Sequence, residues 1–367
     1  MNGIVIAGGG LAAQRCCETL RARGYDGPIR MVCAEPRPPF DRPPLSKGLL
    51  AGIDDDERLA LRPAGWHADN DVALALGTRA VGVERSERRL RVDGGAPLRY
   101  DRLLVATGAR PRWLPALCDE AGELRPGVHE LRTAADAARL RADLVPGSRL
   151  AVVGAGLIGL EVAATASALG VAVTVVGAVV GPRVGRWFAR LHRHHGVEFL
   201  LGASLAGAWG AGRVEELVLA DGRIVPCDTV LCAVGVAPDV AWLGPHGARG
   251  RGVHVAGDAA GGAHWEAAAR HGAAAAHAML GLEVPAPPVP SFWSDQHGVR
   301  IQCIGTPGAA DAVSVDEAAD GRELTARFTS GGRLVGALLA GRTRELPALR
   351  RELARSVSLS PNLRSAA

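Results

Sequence analysis

The chain has 367 residues, which is long for one hydrophobic core, so we expect two or three domains. Hydrophobic residues make up 48% of it, but no apolar run is long enough to span a bilayer, which predicts a soluble protein without a membrane partner. The formal net charge of +4 is small and dispersed. That charge argues against nucleic acid as a partner and would tolerate an acidic protein.

The seven cysteines contain no C-x-x-C spacing, so neither a zinc ribbon nor a thioredoxin-type dithiol is supported, and no metal site is predicted. We expect all seven to be buried structural thiols. The first apolar run begins at residue 3, which leaves no room for a signal peptide and predicts the cytoplasm.

The N-terminal stretch carries a dinucleotide-binding fingerprint. An apolar run ends in a G-x-G-x-x-A turn, and a predicted helix over residues 14–23, a second apolar run and an acid follow. In this pattern Gly8 makes the tight turn, and Gly10 lets the backbone approach a pyrophosphate. Ala13 permits close helix–strand packing, and Glu35 would accept hydrogen bonds from a ribose. The helix N-terminus adds N–H groups and a positive dipole end for the phosphates.

A proline-rich arm, residues 36–47, comes next. Its five prolines predict an extended, rigid path without regular hydrogen bonding. The arm is either a stiff surface loop with solvated charges or a support that holds Lys47 beside a ligand. The arm alone leaves both interpretations open.

Residues 72–92 predict short strands with a charged hairpin at residues 84–89. A buried strand follows and ends in Thr107-Gly108. Such an ending either lets the backbone pass close to a ligand or simply turns the corner. A helix is then predicted over residues 134–143.

A second fingerprint begins at residue 149. The full G-x-G-x-x-G is present at Gly154, Gly156 and Gly159, and a helix over residues 160–169 and a strand are predicted behind it. The place of the acid is taken by Gly177, so the usual ribose partner is missing. Two fingerprints in one chain, each between a strand and a helix, are hard to obtain by chance.

The remaining chain predicts a strand at residues 252–257 that leads into Asp258, with a helix over residues 263–280 behind it. Asp258 could be the N-cap of this helix, but together with the first fingerprint its better role is to bind a second part of the same cofactor. Beyond a proline-rich linker, three further strands indicate an antiparallel sheet. The tail from Arg342 predicts a basic helix with a solvated face.

Two dinucleotide folds, a Thr-Gly strand end between them and a Gly-Asp strand end after the second resemble the glutathione-reductase-like flavoproteins. Residues 42–47 (RPPLSK), 159–161 (GLE) and 292–296 (FWSDQ) resemble the FAD-dependent ferredoxin reductases of the putidaredoxin reductase type, which serve Rieske oxygenases and haem monooxygenases. Disulfide reductases of this superfamily carry a redox cysteine pair that residues 40–47 lack. The resemblance therefore implies that electrons leave the flavin without a thiol relay.

The resemblance implies an α/β fold with two Rossmann-like, three-layer ββα dinucleotide-binding domains, the second inserted in the first, and a small α+β C-terminal domain. The implied boundaries are residues 1–112 and 241–287 for FAD, 113–240 for NAD(P)H and 288–367 for the C-terminal interface domain.

The resemblance also implies roles for single residues. Lys47 falls where the family holds a lysine near flavin N5, paired with the acid matched by Glu161, and Trp293 matches an aromatic near the isoalloxazine, which makes these three the candidate catalytic residues. The residues implied for FAD are Gly8, Gly10, Ala13, Glu35, Arg42, Lys47, Ala80, Thr107, Gly108, Arg132, Asp258 and Trp293. Those implied for the nicotinamide dinucleotide are Gly154, Gly156, Ile158, Gly159 and Gly235.

The implied function is electron transfer from NADH or NADPH through FAD to an acidic iron–sulfur ferredoxin that serves an oxygenase. Two alternatives stay open: an NAD(P)H oxidase or quinone reductase on the same fold, and a low-turnover FAD- and dinucleotide-binding sensor. The loop at residues 177–184 and the stretch at 243–252 are shorter than in the family. Ala267 and His271 replace an Asn and a Gln. The oligomeric state stays open.

Overall fold

The computed structural model describes residues 2–177, 181–245, 247, 250–262, 264–319 and 321–358. The chain divides into two compact units, each made of three segments. The first unit comprises Met1–Arg42, Asp55–Arg110 and Val236–Pro288; the second comprises Pro43–Asp54, Pro111–Gly235 and Val289–Ala367. The three domain boundaries implied by the family stay a prediction.

The first unit is built on a five-stranded parallel sheet. In sheet order its strands are Val253–Val255, Arg102–Val105, Ile4–Ala7, Ile29–Cys33 and Val72–Leu76. All four residues of the central strand are buried, because both faces of a parallel sheet are covered. This strand leads directly into the first glycine turn.

Two helices, Leu11–Ala22 and Trp265–Leu280, cover one face of this sheet and pack against each other. Their approach needs glycine, because a Cβ on Gly272 would lie 2.1 Å from the carbonyl oxygen of Ala12. The first helix begins three residues before the predicted start at residue 14, since Gly10 is its extended N-cap residue. The start predicted for the second helix, Ala263, lies outside the described residues.

The other face carries an antiparallel sheet of Ala80–Glu84, Arg89–Val92 and Leu98–Arg99. Its buried side chains join those of the parallel sheet in one apolar cluster that includes Val5, Leu90 and Tyr100. The unit therefore has the three ββα layers that the resemblance implied.

The second unit repeats this plan. In sheet order its parallel strands are Glu198–Leu201, Ala172–Gly177, Arg149–Val153, Thr229–Cys232 and Val128–His129. Its antiparallel sheet consists of Leu205–Trp209, Glu216–Leu219 and Ile224–Pro226, and its helices are Ala134–Asp143, Leu157–Ala168 and Pro182–His194. The second fingerprint thus occupies the same place in its sheet as the first.

The C-terminal part of the second unit is a five-stranded antiparallel sheet covered by one helix. In sheet order the strands are Ser291–Gln296, Val299–Gly305, Arg333–Ala340, Leu324–Ser330 and Ala312–Glu317, and the helix is Leu346–Ser358. Leu349 and Leu353 of the helix pack on Ile304, Leu334 and Leu339. The predicted antiparallel sheet is present, with two more strands than expected.

Short elements complete the chain. They are the 3-10 turns Pro43–Ser46, Pro115–Leu117, Ala241–Leu243, Gly257–Ala260, Pro307–Ala309 and Thr343–Glu345, the helical turns Gly48–Ala51, Asp56–Leu59 and Trp66–Asp69, and the strands Ala109–Pro111 and Val236–Pro238. Within the described part of the chain, no helix is long and apolar enough to cross a membrane. The same part contains no group of three or more His, Cys, Asp or Glu side chains placed to hold a metal ion.

Three expectations from the sequence, on the proline-rich arm, Cys118 and the basic tail, are wrong in detail. The proline-rich arm is not extended throughout, because its last two prolines set φ for the turn Pro43–Ser46. Of the two roles considered for Asp258, the helix N-cap is excluded, since the residue lies inside the turn Gly257–Ala260. All seven cysteines are free, but Cys118 is only half-buried. The basic tail is not helical from Arg342, which is buried and lies 2.7 Å from Asp316.

Candidate functional site

In the first glycine turn, Gly8 leaves no room for a side chain, whereas Gly10 does. Gly8 has φ +124°, and a Cβ there would lie 2.0 Å from the carbonyl oxygen of Ala106. Its N–H donates to the carbonyl of Val32 at 2.8 Å, which seats the turn on the sheet. A Cβ on Gly10 would meet nothing within 4 Å, while Ala13 is fully buried. The turn therefore leaves free space at the start of a helix.

The N-terminus of the helix Leu11–Ala22 has the features of an anion-binding site. No side chain caps the helix Leu11–Ala22 at Gly10, and no acidic residue lies in its first turn. The first N–H groups of a helix have no partner within the helix and carry the positive end of its dipole. Free space in front of them is what a pyrophosphate needs, so the residues present fit a dinucleotide.

Glu35 and Arg42 were singled out by different motifs, and the structure brings them together. The Oε1 of Glu35 lies 3.2 Å from Nη2 of Arg42, and both side chains are half-buried. The Arg42 guanidinium also lies 5.2 Å from the ring centre of Phe40. A carboxylate has more acceptor sites than one such contact fills, so Glu35 can still bind a ribose hydroxyl.

Three more predicted residues lie in the first unit. Gly108 has φ +77°, and the Thr107 hydroxyl donates to the Asp239 carbonyl at 2.6 Å, so this Thr-Gly pair does turn a corner. Ala80 is buried at the start of the strand Ala80–Glu84. Asp258 is half-buried in its 3-10 turn.

His271 lies on the helix behind Asp258. Its Nδ1 is buried and makes no hydrogen bond within the described residues. Burial and the charge of Arg270 lower the pKa of His271, while a hydrogen bond with the Gly257 backbone and the charge of Asp258 act in the opposite direction. A buried polar atom without a partner costs stability unless a ligand or water satisfies it, so this atom also fits a bound cofactor.

The second glycine turn repeats the main features of the first. Gly154 has φ +107°, and a Cβ there would lie 2.4 Å from the carbonyl oxygen of Ala233. A Cβ on Gly159 would lie 2.3 Å from the Gly154 carbonyl oxygen, so only glycine allows this helix to approach the turn so closely. A Cβ on Gly156 would meet nothing within 4 Å. The turn again offers free space at a helix start.

The surroundings of this turn are apolar and lack the usual acid. Ile158 is 43% exposed in the first helical turn, and Gly235 has φ +102° with nothing within 4 Å of its Cβ position. Gly177 ends its strand with φ +136°, a conformation that an Asp or Glu would adopt only with strain. Residues 178–180 of the shortened loop lie outside the described residues.

Lys47 and Glu161 form a largely buried ion pair in the second unit. The Lys47 Nζ lies 2.7 Å from Oε2 of Glu161, and the two side chains are 24% and 7% exposed. The Ser46 hydroxyl donates to the same oxygen at 2.5 Å, and the Ser294 hydroxyl donates to Oε1 at 2.6 Å. Three donors therefore satisfy a carboxylate that would otherwise be costly to bury.

The proline-rich arm holds Lys47 in place from its own side. The Lys47 Nζ donates to the carbonyl of Pro43 at 3.3 Å. The Thr165 hydroxyl donates to the carbonyl of Ser46 at 2.8 Å, which ties the arm to the helix Leu157–Ala168. Of the two interpretations of the arm, these bonds favour the support that positions Lys47.

Trp293 and Arg132 also lie in the second unit. Trp293 is half-buried and pairs with Gln302 across two antiparallel strands. The backbone N–H of Arg132 donates to Asp136 at 2.9 Å, one residue before the capping box of the helix Ala134–Asp143.

Two features of this pair were missed in the sequence. Lys47 is the single lysine among the 42 lysine and arginine residues, a signal that a residue count would have found. The buried side chains Gln296 and His192 continue the hydrogen bonding beyond Ser294. No local pattern links these two residues, which come together only in the folded chain.

Comparison with known proteins places the chain in a family. A model described as pyridine nucleotide-disulphide oxidoreductase matches residues 2–272, and one described as reductase C-terminal matches residues 291–365. The chain belongs to the pyridine nucleotide-disulphide oxidoreductase family. It is an α/β oxidoreductase, as predicted.

The relatives and solved structures agree with the resemblance found in the motifs. The chain is 36% identical to the biphenyl dioxygenase system ferredoxin--NAD(+) reductase component of Paraburkholderia xenovorans, over 97% of this chain and 94% of that protein. It is 35% identical to the anthranilate 1,2-dioxygenase system ferredoxin--NAD(+) reductase component of Burkholderia cepacia, over 97% and 95%. The covalent putidaredoxin reductase–putidaredoxin complex aligns with a TM-score of 0.89 at 28% identity, over 99% of this chain and 95% of that chain. The resemblance to the putidaredoxin reductase type is confirmed.

Proposed function

We propose that this protein is an FAD-dependent NADH:ferredoxin oxidoreductase that supplies electrons to an oxygenase. The observation that carries the proposal is the pair of glycine turns, each with free space at the start of a helix, in one chain. Relatives of nearly the same length are named as ferredoxin--NAD(+) reductase components of dioxygenase systems.

The first unit holds the adenosine and pyrophosphate of FAD in this proposal. Gly8, Gly10 and Ala13 form the pyrophosphate turn, and Glu35 binds the ribose next to Arg42. By the resemblance, Ala80 offers its backbone to adenine, and the segment at Thr107 and Gly108 and the Asp258 carboxylate complete the binding set. The Nδ1 of His271 is a further hydrogen-bonding atom for the cofactor.

The second unit supplies the residues that act on the reaction. Bound FAD would supply the hydride and single-electron chemistry, so the task of the protein's own residues is to position groups and exclude water. Lys47 supplies a fixed positive charge, and Glu161 holds it in place. The resemblance alone assigns Arg132 to a phosphate and Trp293 to the isoalloxazine edge.

The second glycine turn binds the nicotinamide dinucleotide. Gly154, Gly156 and Gly159 provide the pyrophosphate turn, and Ile158 and Gly235 line the space beside it. Gly177 offers no carboxylate to bind a 2′-hydroxyl or to repel a 2′-phosphate, so NADPH also fits. We adopt NADH because the named relatives are NAD(+) enzymes.

The proposed acceptor is an acidic iron–sulfur ferredoxin, and the proposed compartment is the cytoplasm. The chain is modestly basic, with a formal net charge of +4, which favours an acidic partner. Seven free thiols and no disulfide among the described residues suit a reducing compartment.

Anaerobic titration of the purified protein with NADH, and separately with NADPH, tests the proposal. Flavin absorbance should bleach on titration and return when an acidic ferredoxin coupled to cytochrome c is added. Equally fast reoxidation by oxygen or a quinone would favour the oxidase or quinone reductase alternative. A flavin that NAD(P)H does not reduce would favour the sensor, and a folded protein that never takes up FAD would refute the proposal.

A further inference from the structure

The Glu161 carboxylate is held from two sides, and the proposed function uses only one of them. On one side Lys47 and Ser46 bind Oε2. On the other side Ser294, from the strand Ser291–Gln296, donates to Oε1 at 2.6 Å. Ser294 is fully buried, so water does not take part in this contact.

A series of side-chain hydrogen bonds connects Ser294 to residues farther from the ion pair. The Gln296 amide donates from Nε2 to the Ser294 hydroxyl at 2.9 Å, and its Oε1 lies 2.9 Å from His192 Nε2. The His192 Nδ1 lies 3.1 Å from His297 Nε2. Five side chains, ending at Glu161, are thus linked in series.

The donors and acceptors of this hydrogen-bonded series can be assigned in one direction. An amide oxygen only accepts, so His192 must carry its proton on Nε2, and its Nδ1 must accept from His297. The Ser294 hydroxyl receives the Gln296 amide proton and therefore points its own proton at Glu161. Every donor in the series faces the carboxylate, which is the arrangement that holds an anion.

Burial makes this arrangement rigid. Ser294 and His192 are 0% exposed and Gln296 is 1% exposed, so none of them exchanges its partner for water. Ser294 and Gln296 share one face of their strand because side chains alternate with a period of two. Burial also lowers the pKa of His192 to about 4, which keeps its Nδ1 an acceptor at neutral pH.

We propose that Ser294, Gln296 and His192 are positioning residues for Lys47: they fix the Glu161 carboxylate, and the carboxylate fixes the lysine ammonium. The expected effect of these residues on flavin reduction rests on the proposed function. The effect on Lys47 itself can be measured independently of any turnover.

The single lysine makes the first test direct. Protein grown with lysine labelled with ¹³C at Cε gives one side-chain signal, which belongs to Lys47. In Gln296→Met and His192→Leu we expect the chemical shift of this signal to move and its line to broaden, because the carboxylate that holds the ammonium is no longer fixed. His192→Gln, which offers an amide donor near the position of Nε2, should restore the parent signal.

The matched control removes a similar bond elsewhere. In the first unit, His67 Nε2 lies 2.8 Å from Gln14 Oε1, and this hydrogen bond is also buried. It is not part of the series that ends at Glu161. His67→Leu should lose comparable stability and leave the Lys47 signal unchanged. An unchanged signal in Gln296→Met and His192→Leu, or an equal shift in His67→Leu, would overturn the inference.

The second test asks whether the effect at the flavin passes through Lys47. We expect Gln296→Met to slow flavin reduction by NADH about tenfold in single-turnover experiments, with the Kd for NADH changed less than twofold. In a Lys47→Ala background the same substitution should add nothing, because coupled residues are non-additive. Equal slowing in both backgrounds would refute positioning through Lys47.

The two tests separate this inference from the proposed function. If NADH does not reduce the flavin of the parent protein, the proposed function fails and the lysine signal still decides the positioning. If NADH reduces the parent normally and Gln296→Met behaves like the parent in both tests, only the positioning fails. Ser294→Ala, a smaller change, replaces Gln296→Met if that variant does not fold.

Discussion

At the scale of single residues, Lys47 is the side chain on which most of the proposed chemistry depends. Its ammonium lies 2.7 Å from a carboxylate that is 7% exposed, at the end of an arm fixed by prolines. A lysine ammonium is a compact point charge, whereas a guanidinium is planar and binds through a fork. A chain that uses arginine for every other strong base therefore keeps a lysine at this one position.

Lys47→Ala should keep FAD but slow its reduction by at least about tenfold, since the pyrophosphate and ribose groups are left intact. Removing the lysine leaves a buried carboxylate without its counter-charge, so stability should also fall by about 2 kcal/mol, less than for a fully buried pair. Stopped-flow reduction and thermal unfolding measure the two effects. Lys47→Arg, which keeps the charge, should be the milder variant. Reduction at the parent rate in Lys47→Ala would mean that the pair is only a structural salt bridge.

His192 makes stability depend on pH in the acid range. Burial lowers its pKa to about 4 in the folded protein, against about 6.5 when it is exposed. Between these values the unfolded chain binds more protons, so the contribution is complete above pH 6.5 and is lost as pH falls to 4. The loss amounts to roughly 3 kcal/mol at most.

His192→Gln should blunt this acid loss, since glutamine does not titrate. The free energy of unfolding, measured with denaturant at pH 7 and pH 4.5, should fall less in the variant than in the parent. An identical fall in both proteins would show that other groups cause the acid sensitivity. His297, whose pKa burial and the neighbouring His192 and His195 lower to about 3, is the first of these.

At the scale of elements, the two strand–turn–helix segments use the same design. In each, a Cβ at the first glycine would strike a backbone carbonyl oxygen, and one at the second glycine would meet nothing within 4 Å. The first glycine is therefore needed for folding. At the second glycine the described residues impose no steric limit, which is consistent with space for a ligand.

Gly10→Val and Gly156→Val should separate the two sites. Both glycines have extended φ values, −102° and −76°, so valine is tolerated without strain and both variants should fold. Gly10→Val should be purified without FAD. Gly156→Val should keep FAD and raise the Kd for NADH by more than about thirtyfold, or 2 kcal/mol. Each variant is the control for the other, and FAD retention by Gly10→Val would refute the assignment of the first turn.

At the scale of the whole molecule, charge governs the encounter with a partner. The net charge is only +4, but exposed arginines follow the last strand at Arg344, Arg350, Arg351 and Arg355. Surface charges attract a partner mainly before contact, and salt screens them over about 8 Å at physiological strength. The association rate is therefore the quantity to measure.

Neutralising these four arginines should raise the KM for an acidic ferredoxin and leave flavin reduction by NADH untouched. The ferredoxin rate of the parent should fall steeply between low and physiological salt, and that of the variant should fall less. Arg350 also donates to the Ser291 hydroxyl at 3.2 Å, so thermal unfolding of the variant is the stability control. A ferredoxin rate that ignores both salt and these substitutions would move the docking face elsewhere.

The sequence by itself determined the two glycine turns, because each depends on about ten consecutive residues whose backbone geometry is encoded locally. It also indicated the parallel strands, the antiparallel C-terminal sheet and, through the resemblance, the partnership of Lys47 with Glu161. Its errors were local ones of conformation, boundary and burial, in the proline-rich arm and at Arg342 and Cys118.

Only the tertiary structure decided what surrounds that partnership. Ser46 and Ser294 reach Glu161 from positions 115 and 133 residues away, and His192 meets Gln296 across 104 residues. No periodicity or motif encodes such contacts, because they exist only once separate strands and helices have packed. The resemblance predicted the ion pair at Lys47, but folding alone produced the hydrogen bonds that hold it.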